Sequence, residues 1–136
     1  MVVLSCGIDF RLELVEALAD DEQIIKQHFA KIPDPYIRDV EQQVFLHGAE
    51  SPRFTQAITK FEKILTDLDK ALATQQWIVG DRLTLADIAY APYATRLGHL
   101  HLHSLRDNKP HFARWYQVLQ ATPGYQAGLT QWFNPK

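Results

Sequence analysis

The chain has 136 residues, 46% of them hydrophobic and 22% charged, with a formal net charge of -2. That length and balance suit one globular domain able to bury its own core, and a second domain would not fit. Acidic and basic residues are interspersed and the pI is about 6.3, so the chain carries no electrostatic footprint for nucleic acid or an anionic membrane.

The opening Met1-Val2-Val3-Leu4-Ser5-Cys6 is apolar, but it is much shorter than a signal-peptide core and has no basic flank. No segment approaches a transmembrane length. The expectation is a soluble, cytoplasmic protein with no membrane partner. Cys6 is the only cysteine, which excludes an internal disulfide and suits a reducing compartment. Residues 1–8 read as a short lead and residues 9–136 as a helical domain.

From Asp9 the apolar positions Phe10, Leu14, Leu18, Ile25 and Phe29 recur mainly at helical intervals, with Leu12, Val15 and Ala19 widening the stripe, and predict a first long helix ending near Lys31. Pro33 and Pro35 interrupt it. Asp34 followed by Pro35 is a cap and first-turn pair for a second helix to about Leu46, closed by Gly48. Ser51-Pro52 repeats the start signal, and Phe54, Ile58, Phe61, Leu65, Leu68 and Leu72 carry a third helix whose other face holds Lys60, Lys63, Asp67 and Lys70.

Residues 77–92, Trp-Ile-Val-Gly-Asp-Arg-Leu-Thr-Leu-Ala-Asp-Ile-Ala-Tyr-Ala-Pro, spell a turn and a doubly locked helix start. Thr84 caps the helix and Asp87 reaches back to the Thr84 N–H, a capping box with Asp in place of Glu. Leu83 and Ile88 form a hydrophobic staple. The helix runs to about Leu97 and contains Pro92, which should bend it. A polar connection through Arg106, Asp107, Asn108 and Lys109 leads to a helix from Pro110 with Phe112, Trp115, Val118 and Leu119 facing inward, and a short helix follows Pro123. The tail Gln131-Trp132-Phe133-Asn134-Pro135-Lys136 is unusually aromatic, which suggests that it docks. The expected fold is all-α, a bundle of five to seven helices.

Chemistry-bearing groups are few. On a continuing helix His99 and His103 would share a face at metal-site spacing, with His101 between them, but no carboxylate sits at a matching position and Gly98 frays the helix there. These histidines read as solvated, and no metal is expected. Cys6 lies in an apolar lead with no nearby cation to lower its pKa, and reads as an incidental thiol. Asp87 reads as a partner for backbone donors and not as an acid or base. No Ser-His-Asp order, phosphate loop, zinc helix or Cys-x-x-Cys pair is present, so no catalytic residue is assigned.

The Trp77-x-x-Gly80-Asp81 turn with its capped helix resembles the central helix of the C-terminal domain of glutathione S-transferases. The stretch Pro110-His111-Phe112-Ala113-Arg114-Trp115-Tyr116, with Thr122-Pro123-Gly124-Tyr125, is similar to that family's penultimate helix and following turn. The resemblance runs from about Asp9 to Trp132. In the family, a thioredoxin-like N-terminal domain binds glutathione and supplies the Tyr, Ser or Cys that activates its thiol, and nothing in these 136 residues reads as that domain.

The resemblance implies that this chain supplies the hydrophobic-substrate side and dimer contacts for glutathione conjugation, without the glutathione-binding half. By position in the family, Phe10, Leu14, Trp132 and Phe133 would wall the hydrophobic pocket, although such residues also pack cores. The chain itself holds no cofactor. Glutathione enters as co-substrate only if a thioredoxin-like domain complements it, and alone the chain should be inactive. The implied partners are that domain or a second copy of the chain, with a hydrophobic small molecule. The alternative is a noncatalytic protein–protein assembly module of the same fold.

Overall fold

The computed structural model describes residues 2–5, 7–8, 11–18 and 21–130. Among them there is no strand, and the fold is all-α. The helices are α1 (Val2–Ser5), α2 (Arg11–Leu18), α3 (Glu22–Ala30), α4 (Pro35–His47), α5 (Pro52–Ala71), α6 (Leu85–His99), α7 (Pro110–Gln120) and the single turn α8 (Pro123–Tyr125). No helix among the described residues is long and apolar enough to cross a membrane. Cys6, Phe10, Trp132 and Phe133 lie outside the described residues.

The predicted first long helix is two helices. Asp21 is extended (ψ 110) and its carboxylate accepts from the N–H groups of Gln23 and Ile24 at 2.8 and 3.1 Å. An N-cap thus interrupts an apolar stripe that continues across it, because the side chain offers the backbone a partner that a continuous helix would deny it. Asp34 caps α4 in the same way, through Tyr36 and Ile37.

Two compact units divide the chain at residues 60 and 61. In the first, Leu18, Phe29 and Phe45 form a buried cluster with Leu14, Val15, Ile25 and Ile32 against it. Phe29 and Phe45 meet edge to face at 5.4 Å. Arg11 Nε donates to the Phe45 carbonyl at 2.9 Å, satisfying one of the open carbonyls at the end of α4. Gly48 follows with φ +55 and ψ -131, a conformation that only glycine adopts without strain.

In the second unit, α5 contributes the buried Leu65 and Leu68, α6 contributes Ala91, Ala94 and Leu97, and α7 contributes Phe112, Trp115 and Leu119. Side chains fasten these helices at their ends. Asp69 accepts the Phe112 N–H at 2.8 Å, doing for α7 what its own N-cap residue, Lys109, cannot. Arg114 donates to the carbonyls of Leu72 and Gln75, at 2.6 and 2.9 Å, just past the end of α5.

Candidate functional site

Three features of residues 61–136 come together around α6: a buried carboxylate at its start, an apolar cavity beside its first turns and a polar groove at its far end. The first is built by the turn that precedes α6. Gly80 takes φ +78, which a side chain would resist. Its N–H donates to Gln75 Oε1 at 3.2 Å, while Gln75 Nε2 donates to the Ile78 carbonyl at 2.7 Å. One glutamine amide therefore replaces the backbone partners that the turn lacks.

Thr84 and Asp87 occupy Ncap and N3 of a capping box. Asp87 Oδ2 accepts the Thr84 N–H at 2.8 Å and the Thr84 hydroxyl at 2.9 Å. Asp87 Oδ1 accepts the Ile78 N–H at 2.9 Å and the Trp115 indole N–H at 2.8 Å. The side chain is 0% exposed. Burial alone would push its carboxyl up, but the hydrogen bonds from Ile78, Thr84 and Trp115 outweigh it and hold the group below the ordinary carboxylate range. With both oxygens committed and no solvent access, Asp87 ties turn, helix and α7 together and is not placed to exchange a proton with a ligand.

Leu83 and Ile88 flank this box at N′ and N4, yet they are 42% and 54% exposed. They line an apolar cavity of about 310 Å³, with Ala91, Pro92, Leu119 and Leu129. Nearby in sequence, Val79 and Leu85 are also exposed, Leu85 to 82%. Leu14, in α2, packs against Leu18, Phe29 and Phe45. Among the pocket residues expected from the sequence, it is the one whose side chain is described.

A polar groove of about 590 Å³ lies at the other end of α6, lined by Thr95, His99, His103, Arg106, Tyr116 and Tyr125 among others. Helix α6 ends at His99 and His101 has φ +56, so the chain leaves the helix before His103. His99 and His103 nevertheless face the same groove. Among the described residues no three His, Cys, Asp or Glu side chains converge as a metal site.

The floor of the groove is a chain of hydroxyls. Thr95 Oγ1 donates to the Ala91 carbonyl at 2.9 Å, lies 2.6 Å from the Tyr125 hydroxyl, and accepts from Tyr116 at 3.3 Å. The two phenols are 2.9 Å apart. Two oxygens approach this closely only with a proton between them. Thr95 spends its one proton on Ala91, so Tyr125 donates its own to Thr95, and the single Tyr116 proton points inward, shared between Tyr125 at 2.9 Å and Thr95 at 3.3 Å. Burial, with Tyr125 beside it, pushes the Tyr116 phenol up to about 12, so it is neutral at ordinary pH and no nucleophile. These residues are far apart in the sequence, and no local motif announces them.

A family model and several curated relatives match this chain. The family model for glutathione S-transferase, C-terminal domain, matches residues 25–123. The chain is similar to "Glutathione S-transferase hmp2" of Hypomyces subiculosus, 33% identical over 69 residues, which is 51% of this chain and 32% of that protein. It is similar to a "2,5-dichlorohydroquinone reductive dechlorinase" of Sphingobium indicum, 35% identical over 86 residues, 60% of this chain and 25% of that protein. "Glutathione S-transferase" of Hyoscyamus muticus is 30% identical over 70 residues, 52% of this chain and 33% of that protein. The matches thus span only a quarter to a third of these relatives' length. No solved structure matches significantly. The match over residues 25–123 shows that this chain belongs to the glutathione S-transferase C-terminal domain family.

Proposed function

We propose that the chain is the C-terminal domain of a glutathione S-transferase-like protein, supplying the wall for a hydrophobic co-substrate and part of a dimer contact. The observation that carries this reading is the family match. The apolar cavity edged by Leu83, Ile88 and Leu119 supports it, because a concave apolar surface is what an electrophilic, poorly hydrated substrate needs. In this reading glutathione is held and its thiol activated by a thioredoxin-like domain, the first partner, and a second copy of the chain is the other. In this reading conjugation depends on that domain, because a substrate wall alone neither positions nor activates the thiol. The site of action is cytoplasmic, in keeping with a chain of one cysteine.

The exposed Val79, Leu83, Leu85 and Ile88 favour a second reading, in which the same fold serves as a noncatalytic assembly module that covers this face with a protein. Two titrations of the purified chain separate the readings: reduced glutathione by calorimetry, and a chloronitrobenzene by amide chemical shifts. The transferase reading expects no glutathione binding and saturable shifts around Leu83, Ile88 and Leu119. Absence of any response to the electrophile would favour the assembly module. Saturable glutathione binding by the chain alone would overturn the division of labour.

A further inference from the structure

The polar groove at the end of α6 has a polarity of its own. Among the described residues lining it there is no carboxylate. Its cation, Arg106, is held in place twice: the guanidinium lies 5.6 Å over the Tyr116 ring centroid, and Nη2 donates to His103 Nδ1. Arginine has no acceptor, so the His103 ring proton sits on Nε2. A guanidinium fixed by stacking and by one hydrogen bond keeps its other N–H groups for a ligand, at little entropic cost.

The hydroxyl chain adds the opposite character. Because Tyr116 donates inward to Tyr125 and Thr95, its oxygen keeps lone pairs and no proton for the groove. Tyr116 therefore accepts, while Arg106 beside it donates. The volume, about 590 Å³, falls in the range of small-ligand cavities, roughly 300–1,000 Å³.

We propose that this groove binds a small organic acid that also carries a hydroxyl donor, its carboxylate on Arg106 and its hydroxyl on the Tyr116 oxygen. The groove adjoins the apolar cavity invoked for the electrophile, with Tyr125 and Leu129 in the wall between them, but Arg106 and Tyr116 line only the groove and the binding does not depend on glutathione chemistry.

The test uses 4-hydroxybenzoate and benzoate as probes, titrated into the whole chain and followed by amide chemical shifts. In the wild type, 4-hydroxybenzoate should saturate with shifts centred on residues 95–106 and 113–117, which line the groove and not the apolar cavity, and benzoate should bind several-fold more weakly. Arg106→Gln should weaken both acids about tenfold or more, the loss expected for a charge-assisted pair. Tyr116→Phe should abolish the difference between the acids and leave benzoate binding intact. Failure of 4-hydroxybenzoate to saturate at millimolar concentration would overturn the proposal, as would undiminished binding in Arg106→Gln. Equal affinity of the wild type for the two acids would overturn the role of Tyr116 without any variant.

Discussion

The indole N–H of Trp115 donates to Asp87 Oδ1 at 2.8 Å, joining α7 to the N3 position of α6 through an atom that already holds the Ile78 N–H. A capping carboxylate is ordinarily a local device worth about 1 kcal/mol. Here it also satisfies donors from two other segments in a place without water, so its removal strands groups that cannot be resolvated.

Asp87→Ala is therefore expected to cost more than a cap, about 3 kcal/mol or more, because the Ile78 and Thr84 amides and the Trp115 indole are left without their acceptor. Trp115→Phe removes one bond and some volume. A double-mutant cycle in urea should give a coupling of about 1.5–3 kcal/mol, as for a hydrogen bond to a charged group. Additive single effects would show that the indole contact carries no energy.

The same carboxylate sets an acid limit. Its folded pKa lies below the ordinary carboxylate value of 3.8, so the unfolded state binds the proton more readily. The contribution of ionised Asp87 is fully present above about pH 4 and is lost as pH falls through the lowered folded value. The stability difference between wild type and Asp87→Asn should accordingly be flat from neutral pH down to about 4 and shrink below it. A difference that shrinks near pH 6 would contradict the arrangement, since it would require a raised pKa.

How far this was legible follows from chain separation. Thr84 and Asp87 are three residues apart and spell their pairing locally. Trp115 and Ile78 lie 28 and nine residues from Asp87, and no periodicity points from one to the other. Leu83 and Ile88 have staple spacing, but their exposure depends on what α7 and the following turn leave uncovered. Asp21 was hidden for a different reason: the apolar stripe keeps its phase across it, so periodicity argues for one helix where the capping chemistry makes two. The hydroxyls of Thr95, Tyr116 and Tyr125 meet only through tertiary packing.

Asp69 offers a check on a cap supplied from another helix. It accepts the Phe112 N–H at 2.8 Å, at the third position of α7, where an N-cap side chain would normally serve. Asp69→Ala should destabilise the protein by about 1 kcal/mol and speed amide exchange in the first turn of α7. Lys109→Ser or Lys109→Asp, which would supply the cap locally, should recover part of the loss in the Asp69→Ala background. Unchanged exchange at Phe112 would sink this assignment.

The direction of the hydroxyl chain orders three further measurements. Tyr125 both donates to Thr95 and accepts from Tyr116, so Tyr125→Phe breaks one buried and one partly buried bond and should cost about 1–2 kcal/mol. Tyr116 only donates, and Tyr116→Phe should cost about 0.5 kcal/mol, because Tyr125, Thr95 and Ala91 remain satisfied. The reverse order would mean that the protons run the other way. The Tyr116 phenol is raised from 10.0 to about 12, which favours the protonated form in the folded state. Its contribution is thus intact below pH 10 and disappears as pH rises from 10 through 12. Ultraviolet titration of phenolate should show a late-ionising tyrosine in the wild type that is missing from Tyr116→Phe. An unchanged late step in that variant would assign it to a different phenol.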